Sequence, residues 1–86
     1  MKIKREFVLR EIAGDLLLVP TGKTALDLNG MLTLNEVGAD IWRMLPEVKD
    51  EEEIVARLLH DYDATAEQIR PDVSAFLGKL RELNII

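Results

Sequence analysis

The stretch from Met31 to Trp42 constrains the fold most, because its hydrophobic period changes in the middle. Met31 to Leu34 is short, apolar and partly β-branched, as a strand would be. Asn35 is a favoured helix N-cap residue, and apolar residues recur at helical spacing after it. This pattern predicts a strand that leads directly into a helix. Such a junction fixes the angle between sheet and helices, so we expect the functional surface to lie along or beside this strand.

The chain has 86 residues, which predicts one domain over residues 1–86 with a thin core. Apolar residues make up 48% of it and charged residues 31%, a balance typical of ordered globular proteins. The chain has no cysteine, which favours a reducing compartment. The apolar run from Leu16 to Val19 is too short for a signal peptide or a membrane span. We therefore expect a soluble, cytoplasmic protein.

The formal net charge is −5, and acidic residues cluster from Asp50 to Glu53 and at Asp61 and Asp63. A nucleic-acid-binding domain needs lysines and arginines to neutralise phosphates. The charge therefore disfavours nucleic acid as a ligand. The run from Asp50 to Glu53 is better explained by the start of a helix, whose dipole favours acidic side chains, than by an acidic docking patch.

The first predicted hairpin joins a strand from Phe7 to Ala13 to a strand from Leu16 to Val19. The turn is predicted at Gly14-Asp15, and Pro20 ends the second strand because proline cannot donate to a ladder.

The second predicted hairpin has Asn29-Gly30 at its turn, since both residues tolerate positive φ. Its strands are Leu26-Asp27-Leu28 and Met31-Leu32-Thr33-Leu34. Together the two hairpins predict a small antiparallel sheet in the first 34 residues.

Three helices are predicted after the sheet, each following a residue suited to N-capping. The caps are Asn35, Asp50 and Thr65. The first helix should run from Glu36 to about Leu45. In the third, Pro71 predicts either a separate first turn or a bend.

At the C-terminal end, Asn84 can adopt the left-handed conformation that closes a helix, so that Ile85 and Ile86 fold back as an apolar tail. Strands followed by three helices indicate an α+β fold. The order matches a winged helix-turn-helix-like arrangement with its sheet at the front.

Residues that could carry chemistry are few. His60 and Ser74 are the only histidine and the only serine, and nothing near them resembles a nucleophile elbow. Asp61, Asp63 and Thr65 are spaced like the start of a calcium loop, but Ala66 stands where that loop needs glycine. We therefore expect no catalytic residue, no metal site and no cofactor.

The remaining candidate site is the edge of the sheet. An edge strand presents unpaired backbone groups that can accept another chain's strand. The segment from Asp27 to Thr33 is the best candidate edge, because it immediately precedes the first predicted helix. The third predicted helix is the only element long enough to form the wall of a groove beside it.

A spaced pattern of mostly apolar residues runs along the chain: Leu34-Asn35 before a helix with Gly38, Ala39, Ile41 and Trp42, then Glu53-Ile54 with Leu58 and Tyr62, then Asp72-Val73, Phe76-Leu77, Leu80 and Ile85-Ile86. This pattern resembles the PqqD family, the recognition element of pathways that modify ribosomally made peptides. The resemblance covers about Phe7 to Ile86. Two departures are visible. Pro46-Glu47-Val48-Lys49 stands where the family often has Asp-Gly, and Asn84 where it has a glycine.

The resemblance implies a non-catalytic peptide chaperone with a winged-helix-like fold that does not bind DNA. The leader segment of a precursor peptide would add as an antiparallel strand to the sheet edge and pack against the third helix. The domain would then present the precursor to a modifying enzyme, commonly a radical S-adenosylmethionine enzyme. The implied peptide-binding residues are Asp27, Leu28, Met31, Leu32, Thr33, Arg70, Val73, Phe76, Leu77 and Leu80, and the sequence does not sort those on the helix between groove and core.

Two alternatives from other classes stay open. A winged-helix nucleic-acid-binding or regulatory protein would share the topology, although the third predicted helix has no net positive face by count. A small enzyme or metal protein would require a bound ion or cofactor. The sequence also leaves open whether the domain is a monomer or a strand-swapped dimer.

Overall fold

The protein folds as a three-stranded antiparallel sheet followed by a set of helices, which confirms the α+β class. The structure is a computed structural model that describes residues 1–27 and 30–86. In chain order the elements are β1 (Phe7–Ile12), β2 (Asp15–Pro20), α1 (Gly22–Asp27), β3 (Leu32–Leu34), α2 (Glu36–Met44), α3 (Glu51–Asp61) and α4 (Ala66–Glu82). The three predicted helices correspond to α2, α3 and α4. None of the helices among the described residues has the length and apolar character needed to cross a membrane.

The sheet has the strand order β1-β2-β3, so β2 is central and the other two strands are edges. The β1–β2 hairpin turns at Ala13 and Gly14, whose φ angles are 53° and 87°. Two successive positive φ angles are those of a type I′ turn, whose twist suits a two-residue hairpin. The turn therefore lies one residue before the predicted Gly14-Asp15.

The predicted strand Leu26-Asp27-Leu28 is wrong for the residues that the structure describes, because Gly22–Asp27 forms the short helix α1. Thr24 anchors this helix. Its hydroxyl is buried and accepts a hydrogen bond from the Glu6 backbone N–H at 2.8 Å. Leu26 is 85% exposed, so it has no core contact that would hold it in a strand. Leu28 and Asn29, the latter being the first of the two residues of the predicted second turn, lie outside the described residues.

The three predicted helix caps are confirmed. The side chains of Asn35, Asp50 and Thr65 accept hydrogen bonds from the backbone N–H three residues further on. Thr65 and Gln68 form a complete capping box. The helix α4 continues through Pro71, so the alternative of a separate first turn is wrong.

The end of α4 closes as predicted. Asn84 has a φ of 59°, and its N–H donates to the Arg81 carbonyl at 3.0 Å. The Ile85 N–H donates to the Leu80 carbonyl at 2.8 Å, which completes a Schellman motif. Ile85 is fully buried, and its carbonyl accepts a hydrogen bond from the Lys4 N–H at 2.6 Å. The C-terminal residues are thus packed against the N-terminal segment.

The core lies between one face of the sheet and the helices. Leu18 of β2 and Leu34 of β3 contribute from the sheet, while α2, α3 and α4 each present an apolar stripe. The fully buried large side chains are Leu18, Ile41, Leu45, Ile54, Val55, Leu58, Val73, Leu77, Leu80 and Ile85. This packing sets β3 beside α2 and α4, and that placement creates the groove described next.

Candidate functional site

The strand β3 offers the backbone groups of Thr33 to solvent. In the β1–β2 hairpin, hydrogen-bonded and non-hydrogen-bonded pairs of opposite residues alternate from the turn outward. The Thr21 N–H donates to the Glu6 carbonyl at 3.0 Å, so Glu6 and Thr21 form one of the hydrogen-bonded pairs. The same alternation points the backbone groups of Leu17 toward β1 and those of its neighbours toward β3. Because Leu17 is opposite Thr33, the Thr33 N–H and C=O point away from β2. Among the described residues, no strand pairs with this side of β3.

A groove of about 430 Å³ lies beside this edge, between β3, the start of α2 and the middle of α4. We call it the edge groove. It is lined by Thr33, Leu34, Asn35, Val37, Gly38, Ile41, Asp72, Ala75 and Phe76. Most of these groups are apolar, so the groove suits side chains that leave water when a strand adds to β3.

Gly38 lies at the inner end of the edge groove, packed against the Asn35 cap and the Phe76 ring. A Cβ at this position would lie 3.5 Å from the Phe76 ring and 3.2 Å from Asn35 Oδ1, which caps α2 by accepting from the Gly38 N–H at 2.7 Å. The distance to Phe76 is an ordinary contact, so the close approach that glycine permits here is that of the Asn35 capping oxygen.

A second, smaller cavity of about 250 Å³ continues along α4 toward its N-terminus, and we call it the helical pocket. It lies between α2, α3 and α4 and shares Val37 and Asp72 with the edge groove. Its other lining residues are Leu58, Tyr62, Ala64, Gln68 and Ile69.

The wall formed by Tyr62 is held in place by a hydrogen bond. The Tyr62 hydroxyl donates to the Asp40 carboxylate on α2. That bond to an acceptor carboxylate, with smaller effects from burial and from nearby acidic groups, raises the pKa of Tyr62 to about 12. The hydrogen bond to Asp40 fixes the Tyr62 ring against the pocket.

The structure separates the residues implied by the family resemblance into different environments. Thr33 and the half-buried Phe76 line the edge groove. Met31 is 55% exposed just before β3, and Leu32 lies within β3, half-buried. These four stay candidates for peptide contact.

Three of the implied residues on α4 belong to the core. Val73, Leu77 and Leu80 are fully buried in the core, so their side chains cannot line an accessible groove. They belong to the stripe that packs α4 onto the rest of the domain.

Arg70 is also placed away from the groove. It is exposed, and its guanidinium donates a hydrogen bond to the Glu52 carboxylate on α3. This ion pair raises the pKa of Arg70. Asp27 ends the helix α1 and therefore does not extend the edge strand, whereas Leu28 lies outside the described residues.

Sequence reasoning missed Asp72 and Ala75 on α4 and the α2 residues Val37 and Ile41 as groove residues. Asp72 and Phe76 are four residues apart and border the buried stripe of Val73 and Leu77, so helical spacing alone could have grouped them as a second face. No local signal shows that this particular face meets β3.

The residues considered for catalysis do not meet. His60 is 90% exposed beside Asp61 near the end of α3, and the Ser74 hydroxyl donates to Glu51 at 3.2 Å on another side of α3. Among the described residues, no group of three or more histidine, aspartate or glutamate side chains is arranged to hold a metal ion.

Comparison with known proteins gives two matches. A family model described as coenzyme PQQ synthesis protein D (PqqD) matches residues 17–86. The solved structure titled "TbiB1 in Complex with the TbiA(beta) Leader Peptide" is similar to this chain with a TM-score of 0.71 and 27% sequence identity, and the alignment covers 99% of this chain and 93% of that one. No match was found among curated proteins.

Proposed function

Because this chain belongs to the PqqD family, we propose that it is a non-catalytic module that binds the leader segment of a ribosomally made precursor peptide. The leader adds as a strand to β3, and its side chains enter the edge groove. The module then presents the precursor to a modifying enzyme, and we propose a radical S-adenosylmethionine enzyme for that role. Ribosomal synthesis of the precursor places this encounter in the cytoplasm.

The observation that carries the proposal is the position of Thr33. Its N–H and C=O face outward on an edge strand, and the groove lined by Phe76 lies directly beside that edge. Main-chain hydrogen bonds can therefore form along β3 while apolar side chains are buried next to them, which is how peptides bind by strand addition. The similar TbiB1 structure contains a leader peptide, which supports the same ligand class here.

The sheet geometry predicts which side chains of the proposed peptide would enter the groove. In an antiparallel pair, opposite residues share a face of the sheet. The residue opposite Thr33 therefore points to the outer face with the Thr33 side chain. Its two neighbours point to the face of Leu32 and Leu34, which packs against the helices. Those neighbours are the ones that we place in the edge groove.

Amide chemical shifts of the labelled domain, titrated with the precursor peptide encoded nearest to its gene, test the proposal. Saturable shifts should appear at Leu32, Thr33 and Leu34 and at Phe76, with slower hydrogen exchange at the Thr33 amide. Glu11 on the opposite edge, β1, is the internal control. Saturation that perturbs β1 but leaves β3 unchanged would contradict the proposed edge, and no shift at high peptide concentration would contradict the function.

A further inference from the structure

Asp72 is placed at the border between two apolar cavities. It lines both the edge groove and the helical pocket, and it is the one charged residue lining either of them in the described part of the chain. None of the described side chains forms an ion pair or a hydrogen bond with the Asp72 carboxylate. Its charge is therefore available to a ligand that passes from one cavity to the other.

The two cavities are neighbours along α4, and Asp72 lines both of them. Residues on one side of this helix follow each other at helical spacing, from Ile69 through Asp72 to Phe76. Val37 at the start of α2 also borders both cavities. A strand antiparallel to β3 runs with its N-terminal end toward Asn35 and α2, and thus toward the helical pocket.

The charge of the helical part of the domain is strongly negative. Residues 35–86 contain six lysines and arginines against twelve aspartates and glutamates, whereas residues 1–34 contain five against four. A cationic peptide segment is therefore attracted to the helical side, where long-range charge favours its approach.

From this arrangement we infer that the bound peptide carries a lysine or arginine with a bulky apolar residue two positions before it and another two positions after it, since only alternate side chains of a strand face the helices, and that the cation lies against Asp72. In the N-to-C direction, the first apolar side chain occupies the helical pocket, the cation reaches Asp72, and the second apolar side chain packs on Phe76. This inference rests on the proposed function, and it adds a specificity rule that the edge strand alone cannot supply.

The rule is tested with a displayed library of randomised 15-residue peptides selected on the full chain. Enriched peptides should share a lysine or arginine with bulky apolar residues two positions before and two positions after it. Peptides selected on the Asp72→Lys variant should carry aspartate or glutamate in place of the cation. The matched control is Glu82→Lys, which makes the same charge change on the same helix but outside both cavities, and it should retain the original preference.

A second variant tests the helical pocket separately. Ala64 is half-buried in its wall, and Ala64→Leu fills the space while leaving the edge groove unchanged. Peptides enriched on this variant should lose the N-terminal apolar preference and keep the cation. For one enriched peptide, changing its cation to alanine should weaken binding to the unmodified chain about two- to fivefold, as for an exposed ion pair.

The outcomes separate the inference from the function on which it rests. Peptides that bind at the β3 edge with no cation preference, or with a preference that Asp72→Lys does not change, overturn the inference and leave the proposed function standing. A library that yields no peptide whose binding shifts the Thr33 amide overturns both. Circular dichroism melts of each variant confirm that the selections were made on folded protein.

Discussion

Phe76 and Leu77 follow each other on α4 and lie in opposite environments, since Phe76 lines the edge groove and Leu77 is fully buried in the core. Phe76→Ala should weaken peptide binding about tenfold, as expected for an aromatic anchor in an interface. Leu77→Ala should instead lower the free energy of unfolding by about 2–5 kcal/mol through the cavity it leaves.

Urea denaturation followed by the fluorescence of Trp42, together with a peptide titration by calorimetry, measures both effects. Arg70→Ala serves as a control for binding, because Arg70 pairs with Glu52 away from the groove. If Arg70→Ala weakened binding as much as Phe76→Ala, the peptide would lie on the α3 side of α4.

The edge itself can be blocked by Thr33→Pro. Proline removes the N–H that points away from β2 and places its ring where an added strand would lie, while the bonds between β3 and β2 come from Leu32 and Leu34. We expect the variant to fold and to lose detectable binding in a fluorescence anisotropy titration. Glu11→Pro removes the corresponding outward donor from β1 and should bind normally. Equal loss in both variants would show that proline acts through a general disturbance of the sheet.

The raised pKa of Tyr62 predicts a change in stability at alkaline pH. Its pKa is raised to about 12 in the folded protein from an ordinary value of 10.0, chiefly by the hydrogen bond to Asp40. The folded state therefore holds this proton more tightly than the unfolded state does. The stabilising contribution is fully present below about pH 10 and is lost as the pH rises to about 12.

The measurement is the difference in unfolding free energy between the unmodified protein and Tyr62→Phe as a function of pH. Because both proteins share every other titrating group, the difference isolates Tyr62. It should favour the unmodified protein at pH 8 and shrink between pH 10 and 12. A difference that stayed constant to pH 12 would contradict the raised pKa.

Asn84 gives a prediction about the end of α4. Its φ of 59° suits asparagine and glycine better than residues with other side chains. Asn84→Ala should cost about 1 kcal/mol of stability, and Asn84→Gly should cost little. Chemical denaturation distinguishes them, and equal loss in both variants would show that the asparagine side chain matters more than its backbone conformation.

Several elements were predictable from sequence because their causes are local. Asn35, Asp50 and Thr65 cap helices through contacts three residues away, and Asn84 closes one in the same way. The helix α1 was missed because the burial of Thr24 against Glu6 joins residues 18 apart, which no local pattern reports.

The groove was only partly predictable for a related reason. Val73, Phe76 and Leu77 are all apolar residues at helical spacing, so hydropathy gives them the same expected role. Which of them faces β3 depends on how α4 crosses the sheet, and that is decided by long-range packing. Asp72 was missed because no local signal shows that its face of α4 meets β3.

The outward backbone of Thr33 has a consequence for how this protein diverges. Recognition through an N–H and a C=O places no requirement on the side chain at that position, whereas Leu32 and Leu34 must stay apolar to hold the strand in place. Substitutions at residue 33 other than proline should therefore accumulate without loss of the edge. Related proteins that bind a ligand with such a strand should therefore share the spacing of its apolar residues but little sequence identity within it.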